Sequence, residues 1–480
     1  MPRRRSLALI LLASLACQPS ASTTNSEELL DAGVPRATTA AIEAGPTTVP
    51  EGPPPPRVAE LLATVDPARI RQDIDALAAF GTRHTLSTDA PDRGIKAASR
   101  YLKQRFEEAV VPNRAAGPMT VAFDTYTLEP DGKRVMRTVE LSNVVAVLPG
   151  SMPEAAHRHV YVMGHYDSRA SEVMEPDADA PGANDDASGV ALTLELARVL
   201  AGEPLDATVV FMATAGEEQG LLGARRHAAR VRDEGRFITG VLNNDIVGDP
   251  TAPDGSRHDT EIRLFSTGVS RVYEGKGLLD QRNAGMLADG DSRQLARFIA
   301  TVAQWEDTHV QPRLVFRLDR FLRGGDHLAF DELGYPAVRF TEVAENYTRQ
   351  HQDPRTEDGI EYGDHPEHVD AEYLANVTRL DGAALIHLAN APARPAGAVV
   401  VAKALTIDTT IQWQAGREPD LAGYEVVWRR TSSPRWEHAR DVGLDTQLTL
   451  DLHKDNWIFG VRAYDRDGYR SPVSPCGVAL

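Results

Sequence analysis

Histidine and carboxylate residues that could bind metal ions recur through the middle of this 480-residue sequence. In chain order they are His165, Asp167, Asp185, Glu217, Glu218, Asp245 and His351. Zinc accepts imidazole nitrogen and carboxylate oxygen, and ligands of this type and number suit a pair of zinc ions. A pair of zinc ions predicts a reaction class, because water activated by the metal can attack a carbonyl group.

Several of these residues directly follow short apolar runs that are typical of buried β-strands. His165 comes after the run Val160–Met163, and Glu217 comes after Thr208–Ala213. Between the two runs, apolar residues over 187–200 have helical spacing, so the three segments form a βαβ unit with parallel strands. Ligands collect at the carboxyl ends of strands in an open α/β sheet. The topology would therefore bring residues that are distant in the sequence to one edge of the sheet.

The wider pattern predicts an α/β fold with a mixed, largely parallel central sheet flanked by helices. Helical spacing of apolar residues recurs over 95–108 and 371–388, and strand-like runs lie at 121–128 and 138–148. These elements continue the alternation of strands and helices on both sides of the βαβ unit. We therefore expect one large domain over residues 57–390 to position the candidate ligands.

The pattern changes after the segment 391–397, which is rich in proline and alanine. Short alternating runs separated by turn signals follow, and they predict a small C-terminal β-sandwich over residues 396–480. Trp413, the Gly-Tyr pair at 423–424 and the strand at 461–463 resemble a fibronectin type III module. We expect this second domain to act as a separable spacer or docking module.

The N-terminus predicts an export signal. Met1–Ser6 carries three arginines, and the apolar run Leu7–Ala16 that follows is too short to span a bilayer. We therefore predict that residues 1–17 are a signal peptide whose end resembles a bacterial lipobox. Cys17 would then be the site of the lipid anchor, and ordinary signal cleavage is the alternative. Residues 18–56, rich in Pro, Ser, Thr and Ala, are expected to form a disordered tether. The expected location is a bacterial cell envelope, or else the medium.

Charge and cysteine content narrow the range of partners. The net charge of −18 argues against nucleic acid or an anionic membrane surface as the main partner. The two cysteines, Cys17 and Cys476, lie at opposite ends of the chain and provide no disulfide framework. We expect a peptide substrate and membrane contact only through the lipid anchor, and the oligomeric state stays open.

The candidate ligands occur in short blocks whose order resembles the M28 family of zinc peptidases. The blocks are a His-x-Asp-Ser at 165–168, an Asn-Asp-Asp-x-Ser-Gly at 184–189, a Glu-Glu at 217–218, an Asn-x-Asp at 243–245 and a late histidine. The resemblance extends over residues 57–390. It implies a fold like that of zinc exopeptidases and hydrolysis of a peptide bond.

The resemblance also implies two zinc ions per chain and a role for each candidate ligand. It assigns one zinc to His165 and Asp245, the other zinc to Glu218 and His351, and the bridge between them to Asp185. Each ion would then have three protein contacts and an open position for water.

Further residues receive catalytic or supporting roles from the same resemblance. Glu217 would be the general base that accepts a proton from the water and passes it to the leaving amine. Asp167 would hydrogen-bond to the ring of His165 and orient it, as metal-bound histidines usually require. Asp186 would cap the helix that follows it or support the bridge. An ion that also binds the free α-amine of the substrate would make the enzyme an aminopeptidase.

The late histidine has competitors among the 14 histidines of the chain. We select His351 because the segment Glu345–Gln352 resembles the Glu-Asn-Tyr…His segment of the family. His365 and His368 are close by and remain alternatives. A Gly-Gly-Asp-His segment at 324–327 resembles another family segment that normally contains a serine, and we expect its Asp and His to line the pocket without binding metal.

Three other functions stay open on the sequence. A metallo-carboxypeptidase of the same family would need cations for the substrate carboxylate, and Arg317, Arg320 and Arg323 could provide them. A glutaminyl cyclase of the same fold keeps one zinc and usually has a degraded Asn-Asp-Asp block, whereas the block at 184–186 is intact. A non-catalytic surface binding protein would be expected to have lost ligands, and all of them are present.

Overall fold

The structure is a computed structural model, and it describes residue 50 and residues 52–479 apart from 88–89, 113 and 404–405. The predicted signal peptide, its cysteine and most of the predicted tether lie outside the described residues. Among the described residues, no helix has the length and apolarity needed to cross a bilayer.

Helices form the layers that cover the central sheet. In the described part of the chain they are α1 (Pro56–Leu62), α2 (Pro67–Ala78), α3 (Ile95–Glu108), α4 (Ala187–Leu200), α5 (Leu222–Asp233), α6 (Gly275–Asn283), α7 (Asp291–Trp305), α8 (His327–Asp331) and α9 (Ala371–Asn390). The helices predicted over 95–108 and 187–200 begin and end at those residues, as α3 and α4.

The central sheet has the strand order β1-β2-β4-β3-β5-β8-β6-β7. Its strands are β1 (Thr120–Leu128), β2 (Val139–Leu148), β3 (Arg158–His165), β4 (Thr208–Thr214), β5 (Phe237–Asn244), β6 (Glu261–Ser266), β7 (Gln311–Val315) and β8 (Ala337–Thr341). Strand pairs β3–β4, β3–β5, β5–β8 and β6–β7 run parallel, and the other three pairs are antiparallel. The predicted α/β fold with a mixed, largely parallel sheet is confirmed.

Strand β3 shows why the sheet needs a helical layer on each face. Successive side chains of a strand point to opposite faces. Val160 and Val162 pack into the core that contains α2, α4 and α9, while Tyr161 and Met163 pack into a second core with α5. Both faces of the strand are buried, so the run is apolar without interruption, as is usual for parallel strands.

Strands β6 and β7 were not predicted from the sequence. In β6, Ile262 and Leu264 are buried while Glu261 and Arg263 are more exposed, and β7 contains Pro312. Short segments with charged residues and a proline carry a weak strand signal. They form the outer edge of the sheet beyond β8, where a proline is tolerated.

The C-terminal part contains two four-stranded sheets, ordered β15-β12-β11-β18 and β14-β13-β16-β17. The eight strands of these two sheets are β11 (Val399–Val401), β12 (Thr409–Gln412), β13 (Leu421–Arg430), β14 (His438–Asp441), β15 (Gln447–Leu450), β16 (Trp457–Asp465), β17 (Ser474–Pro475) and β18 (Gly477–Ala479). A short hairpin of β9 (Arg355–Glu357) and β10 (Ile360–Tyr362) precedes them in the chain. Ile411 and Leu450 from one sheet share a core with Val426 and Val461 from the other. The resemblance to a fibronectin type III module stays a prediction.

The outer face of the β13–β16 sheet packs against α7 and the segment before it, in the part of the chain that contains the central sheet. Arg429 in β13 donates to both carboxylate oxygens of Asp289 at 2.9 and 2.7 Å, and Arg297 in α7 donates to the same carboxylate at 2.7 Å. All three side chains are buried. Trp436 adds a hydrogen bond from its indole nitrogen to Gln294 at 3.1 Å. The C-terminal sheets are therefore joined to the rest of the chain by a buried polar contact, and not by the linker alone.

Candidate metal centre

The candidate ligands meet at the carboxyl edge of the central sheet. His165 is the last residue of β3 and lies opposite Thr214, the last residue of β4. Asp245 directly follows β5, and Glu217 and Glu218 lie in the loop that follows β4. Because β3, β4 and β5 are parallel neighbours, the residues that follow them share one edge. This is the placement that the strand pattern predicts.

A first group of potential metal ligands consists of His165, Asp185 and Asp245. Nε2 of His165 lies 3.1 Å from Oδ1 of Asp185 and 3.9 Å from Oδ1 of Asp245. All three side chains are buried, and one ligand atom from each lies within 4.8 Å of the others.

A second group consists of Asp185, Glu218 and His351, and its ligand atoms meet the same 4.8 Å limit. Nε2 of His351 lies 2.9 Å from Oδ2 of Asp185 and 3.0 Å from Oε1 of Glu218. Asp185 therefore belongs to both groups, and each of its two oxygens faces a different histidine. A carboxylate in this position can bridge two metal ions.

The electrostatics of the two groups favour a cation at each. Burial by itself would lower the pKa of His165, but the carboxylates of Asp167, Asp185 and Asp245 outweigh it and raise this pKa well above its usual value. In the same way, burial opposes the carboxylates of Glu218 and Asp185 at His351, whose pKa rises to about 9. The surrounding carboxylates thus stabilise positive charge at the positions of both histidines.

The environment of one carboxylate oxygen fits a metal ion at this edge. Oε1 of Glu218 is buried and lies 3.0 Å from Nε2 of His351, but within the described residues it accepts no hydrogen bond of good geometry. An unpaired buried carboxylate oxygen is costly. Together with two imidazole nitrogens and the other carboxylates, it forms a donor set that fits zinc.

Comparison with known proteins agrees with this donor set. Residues 143–380 match Peptidase family M28. A probable zinc metalloprotease of Pyrenophora teres f. teres is 42% identical over 425 residues, which cover 88% of this chain and 87% of the relative. A probable zinc metalloprotease of Pyricularia oryzae is 44% identical over 420 residues, which cover 86% of this chain and 83% of the relative.

The chain belongs to peptidase family M28. Its fold is also similar to a crystal structure of LapA from Legionella pneumophila, with 20% sequence identity and a TM-score of 0.50 over 72% of this chain and 79% of that one. This likeness concerns the fold alone. The sequence resemblance to the M28 family is thus confirmed.

In this M28 chain, Asp186 connects three backbone segments around the candidate metal centre. Its carboxylate accepts from the backbone of Gly189 at 3.0 Å, which caps the N-terminus of α4, and from the backbone of His165 at 3.0 Å. It also accepts from the backbone of Ile246 at 3.3 Å. One buried side chain therefore joins the end of β3, the start of α4 and the segment after β5. The helix cap was expected from the sequence, whereas the contacts with the two strand ends were not.

Asp364, which no sequence pattern indicated, holds the backbone of Asp185, the residue that both ligand groups share. Its two oxygens accept from the backbone nitrogen of Asn184 at 2.9 and 3.0 Å, and one also accepts from that of Asp185 at 2.7 Å. Gln350, the neighbour of His351, donates to Oδ2 of Asp185 at 3.0 Å. Asp185, which belongs to both ligand groups, is thus held through both its backbone and its side chain. A lone aspartate in a loop offers no sequence signal for such a role.

Asp167 contacts the ring of His165 through its main chain. Nδ1 of His165 lies 3.1 Å from the backbone carbonyl of Asp167 and 3.6 Å from its carboxylate. The carboxylate instead accepts from the backbone nitrogens of Glu217 and Glu218, both at 3.1 Å. Asp167 therefore orients the imidazole through its main chain and uses its side chain to hold the Glu-Glu pair.

Glu217 lies in the same cleft as both groups. Burial raises its pKa well above the usual value, and the carboxylates of Glu218 and Asp245 add to the rise while His165 opposes it. A nearby cation would stabilise the ionised form. The position therefore suits a carboxylate that exchanges a proton with a water in the cleft.

The alternatives to His351, which are His365 and His368, do not join either group. Asp326 and His327 are buried and are not among the residues that line the cleft, contrary to the expectation from the sequence. His327 makes a 3.0 Å hydrogen bond through Nε2 to the carbonyl of Leu318, and Asp326 accepts from the hydroxyl of Thr214. His365 and His368 pack against each other with their ring centroids 6.1 Å apart. Among these residues and His351, the structure brings only His351 into a group of three potential ligands within the described chain.

Proposed function

We propose that this M28 peptidase is an aminopeptidase that uses two zinc ions. The observation that carries the proposal is the position of Asp185, whose two carboxylate oxygens face two different histidines. A single zinc would need only one of the two ligand groups. A carboxylate shared between both groups supports a pair of ions at the carboxyl edge of the sheet.

Several residues of the chain would have distinct roles in the reaction. Bound zinc would supply an activated water and polarise the scissile carbonyl. Glu217 would take the proton of the water and return it to the leaving amine. Asp167 fixes the backbone of Glu217, so the general base keeps one position relative to the ligands. Asp364 and Gln350 hold the bridging carboxylate in place.

We propose an aminopeptidase because two ions could each bind a different group of the substrate. One ion would polarise the carbonyl, and the other would accept the free α-amine. The metallo-carboxypeptidase remains a second candidate because Arg320 and Arg323, two of the three arginines proposed for it, line the cleft. The third, Arg317, instead lies over the ring of Phe321 at 3.8 Å.

Elemental analysis paired with an activity assay tests the proposal. Purified protein would be assayed for zinc and for hydrolysis of a dipeptide amide, its N-acetylated analogue and an N-blocked dipeptide with a free carboxylate. Two zinc ions per chain and cleavage of the free-amine substrate alone are expected. Cleavage of the blocked dipeptide acid would favour the carboxypeptidase. One zinc with cyclisation of an N-terminal glutamine would favour a glutaminyl cyclase. No turnover and no zinc would favour a binding protein.

Export and lipid anchoring at Cys17 belong to the same proposal. Labelling with a radioactive fatty acid should mark the wild-type chain and not Cys17→Ser. Label on both proteins, or on neither, would contradict the anchor.

A further inference from the structure

Arg83 is a fully buried arginine in the segment between α2 and α3. Its guanidinium donates four hydrogen bonds, and all four acceptors are main-chain carbonyls. Nε donates to Tyr166 at 2.6 Å, Nη2 donates to Gly182 at 2.8 Å, and Nη1 donates to Leu77 at 3.0 Å and also to Pro181. One side chain therefore holds the backbone of three different segments of the chain.

Two of these segments lie next to residues of the candidate metal centre. Residues 166–186 connect β3 to α4. Tyr166 directly follows His165, and Gly182 comes three residues before Asp185. The guanidinium thus joins the start of this long connection to its end. It holds together the backbone beside one ligand and the backbone beside the other.

The third segment gives the guanidinium a fixed support. Leu77 lies in the last turn of α2, and carbonyls in the last turn of a helix lack the usual partners within the helix. A cation at this end also interacts favourably with the helix dipole. Helix α2 packs into the main core together with α4 and α9. Arg83 therefore ties the two ligand-bearing segments to a rigid part of the fold.

Close packing restricts the movement of these segments further. The backbone nitrogen of Arg83 donates to Oγ of Ser168 at 3.1 Å, and this hydroxyl donates to the carbonyl of Ala180 at 2.7 Å. Gly182 has a positive φ of 54°. A Cβ atom at Gly182 would lie 2.8 Å from Nη2 of Arg83 and 2.5 Å from Cβ of Ser168. The guanidinium therefore fits against the connection with no space for a side chain between them.

The charge of Arg83 also suits this position. Burial lowers the pKa of Arg83 to about 10, while the carboxylates of Asp364, Asp167, Asp186 and Asp185 oppose the fall. The side chain therefore stays charged at neutral pH. Carboxylates that gather without a metal ion repel one another, and a nearby cation offsets part of this repulsion.

We propose that Arg83 is a positioning residue that keeps His165 and Asp185 at a fixed separation, so that the ligands of the metal centre are in place before an ion binds. This inference rests on the proposed function, because it assumes that the two ligand groups bind zinc. Arg83 is not among the residues that line the cleft, so it acts through the backbone and not on the substrate. Residues that orient metal ligands typically change metal affinity by about 10- to 100-fold when they are replaced.

Zinc affinity measured by competition with a chromophoric chelator tests this role. In Arg83→Met the dissociation constant for zinc should rise by about 10- to 100-fold. The rise should be smaller in Arg83→Lys, because lysine keeps the charge but carries its donors on one atom and cannot reach four separated carbonyls. An Arg83→Met protein with the wild-type dissociation constant would overturn the proposal.

Arg114→Met is the matched control for the loss of a buried arginine. Arg114 is also buried and donates to the main-chain carbonyls of Glu203 at 2.8 Å and Pro149 at 2.6 Å. Pro149 follows Leu148, which pairs with Val209 near the start of β4, at the opposite edge of the sheet from the ligands. Urea unfolding of the metal-free proteins compares their stabilities. Arg114→Met should lose stability and keep the wild-type zinc affinity, and an equal loss of affinity in this control would overturn a specific role of Arg83.

Two further readouts separate positioning from a general loss of structure. With zinc at saturation, kcat for a dipeptide amide should fall by about 10-fold in Arg83→Lys while KM stays at the wild-type value, because Arg83 does not line the cleft. The visible absorption bands of the cobalt-loaded protein should shift in Arg83→Lys and not in Arg114→Met. Unchanged bands together with an unchanged kcat would overturn the proposal.

The test does not depend on the folding of Arg83→Met. Ser168→Ala removes a hydroxyl from the same set of contacts and should also weaken zinc binding, by less than Arg83→Met. Wild-type protein that binds two zinc ions and cleaves the free-amine substrate, with the same zinc affinity in all of these variants, would overturn this inference alone. Wild-type protein that binds no zinc would overturn the proposed function and this inference with it.

Discussion

Nη2 of Arg339 lies 2.8 Å from Oδ1 of Asp245, so a fully buried arginine touches a residue of the first ligand group. Nη1 of the same arginine lies 3.1 Å from Asp319. Burial alone would lower the pKa of Arg339, but the two carboxylates outweigh it and raise this pKa. Arg339, which lies in β8, thus pairs with Asp245 after β5 and with Asp319 in the segment after β7.

Replacing Arg339 by Met should destabilise the protein by about 3 to 5 kcal/mol, because it removes a buried cation that pairs with two buried carboxylates. Urea unfolding of metal-free protein measures this loss. Arg313→Met is the matched control, since Arg313 also lies in a strand but pairs with Glu261 at an exposed position. The control should change stability by less than about 1 kcal/mol. Similar losses in both variants would contradict the importance of the buried pair.

Replacing Glu217 by Gln should lower kcat by about 10²- to 10⁴-fold, because the amide cannot accept a proton from water. Zinc content should stay at the wild-type value, since Glu217 belongs to neither ligand group. Steady-state kinetics and elemental analysis together check this prediction. Glu154→Gln, at an exposed position, serves as the control. Turnover near the wild-type rate in Glu217→Gln would show that another group is the base.

Replacing Asp185 by Asn should reduce zinc below one ion per chain, because the carboxylate contributes an oxygen to each ligand group. His351→Ala should instead retain about one ion, since the His165 group does not include that residue. Elemental analysis after dialysis against trace zinc compares the two variants. Asp177→Asn, an exposed carboxylate outside both groups, should keep the wild-type content. A full zinc complement in Asp185→Asn would exclude the bridge.

Stability should also depend on pH through Asp381 in α9. Burial raises the pKa of this carboxyl to about 7, although its hydrogen bond from Asn244 opposes the rise. In the unfolded chain an aspartate has a pKa of about 3.9. As pH rises from 4 to 7, the unfolded chain loses this proton while the folded protein keeps it, so the free energy of unfolding falls by an amount on the order of 4 kcal/mol.

Asp381→Asn removes that titration and should flatten the fall between pH 4 and 7. Urea unfolding of the metal-free protein at several pH values measures the difference between variant and wild type. Asp280→Asn, an exposed carboxylate in α6, controls for the loss of one charge. The same slope in wild type and Asp381→Asn would show that Asp381 ionises as readily in the folded protein as in the unfolded chain.

The stability of the contact between the C-terminal sheets and the rest of the chain should depend on Arg429. Arg429→Met removes one cation from a buried cluster with Asp289 and Arg297 and should cost about 3 kcal/mol or more. Arg430→Met, the next residue, pairs with Glu437 at an exposed position and should cost less than about 1 kcal/mol. Thermal unfolding of both variants tests whether the sandwich is a separable module. Equal effects would support the separable module that the linker predicts.

Much of the fold follows from local sequence patterns. The apolar runs of β3 and β4 and the helical spacing of α4 predict a βαβ unit, and parallel strands place their carboxyl ends at one edge. These patterns are enough to assign His165 and Glu217 to a common edge. By contrast, β6 and β7 escaped prediction because burial in them alternates with charge and includes a proline.

The late histidine shows where sequence reasoning depends on resemblance. Spacing alone does not separate His351 from His365 or His368, which lie within 17 residues of it. The structure places His351 at Asp185 and Glu218 and leaves the other two packed against each other. The backbone of His351 has a positive φ of 56°, a local turn that no periodic pattern encodes.

By itself the sequence determined the types and order of the candidate ligands, the α/β class and the edge of the sheet at which the ligands meet. These features depend on periodicity and on the direction of neighbouring strands, which short segments carry. Only the tertiary structure decided that the two oxygens of Asp185 face different histidines, that Arg339 pairs with Asp245, and that Arg169 and Arg323 meet at His351. Each of these contacts joins side chains far apart in the chain, and their distances are set by packing, which no local pattern specifies.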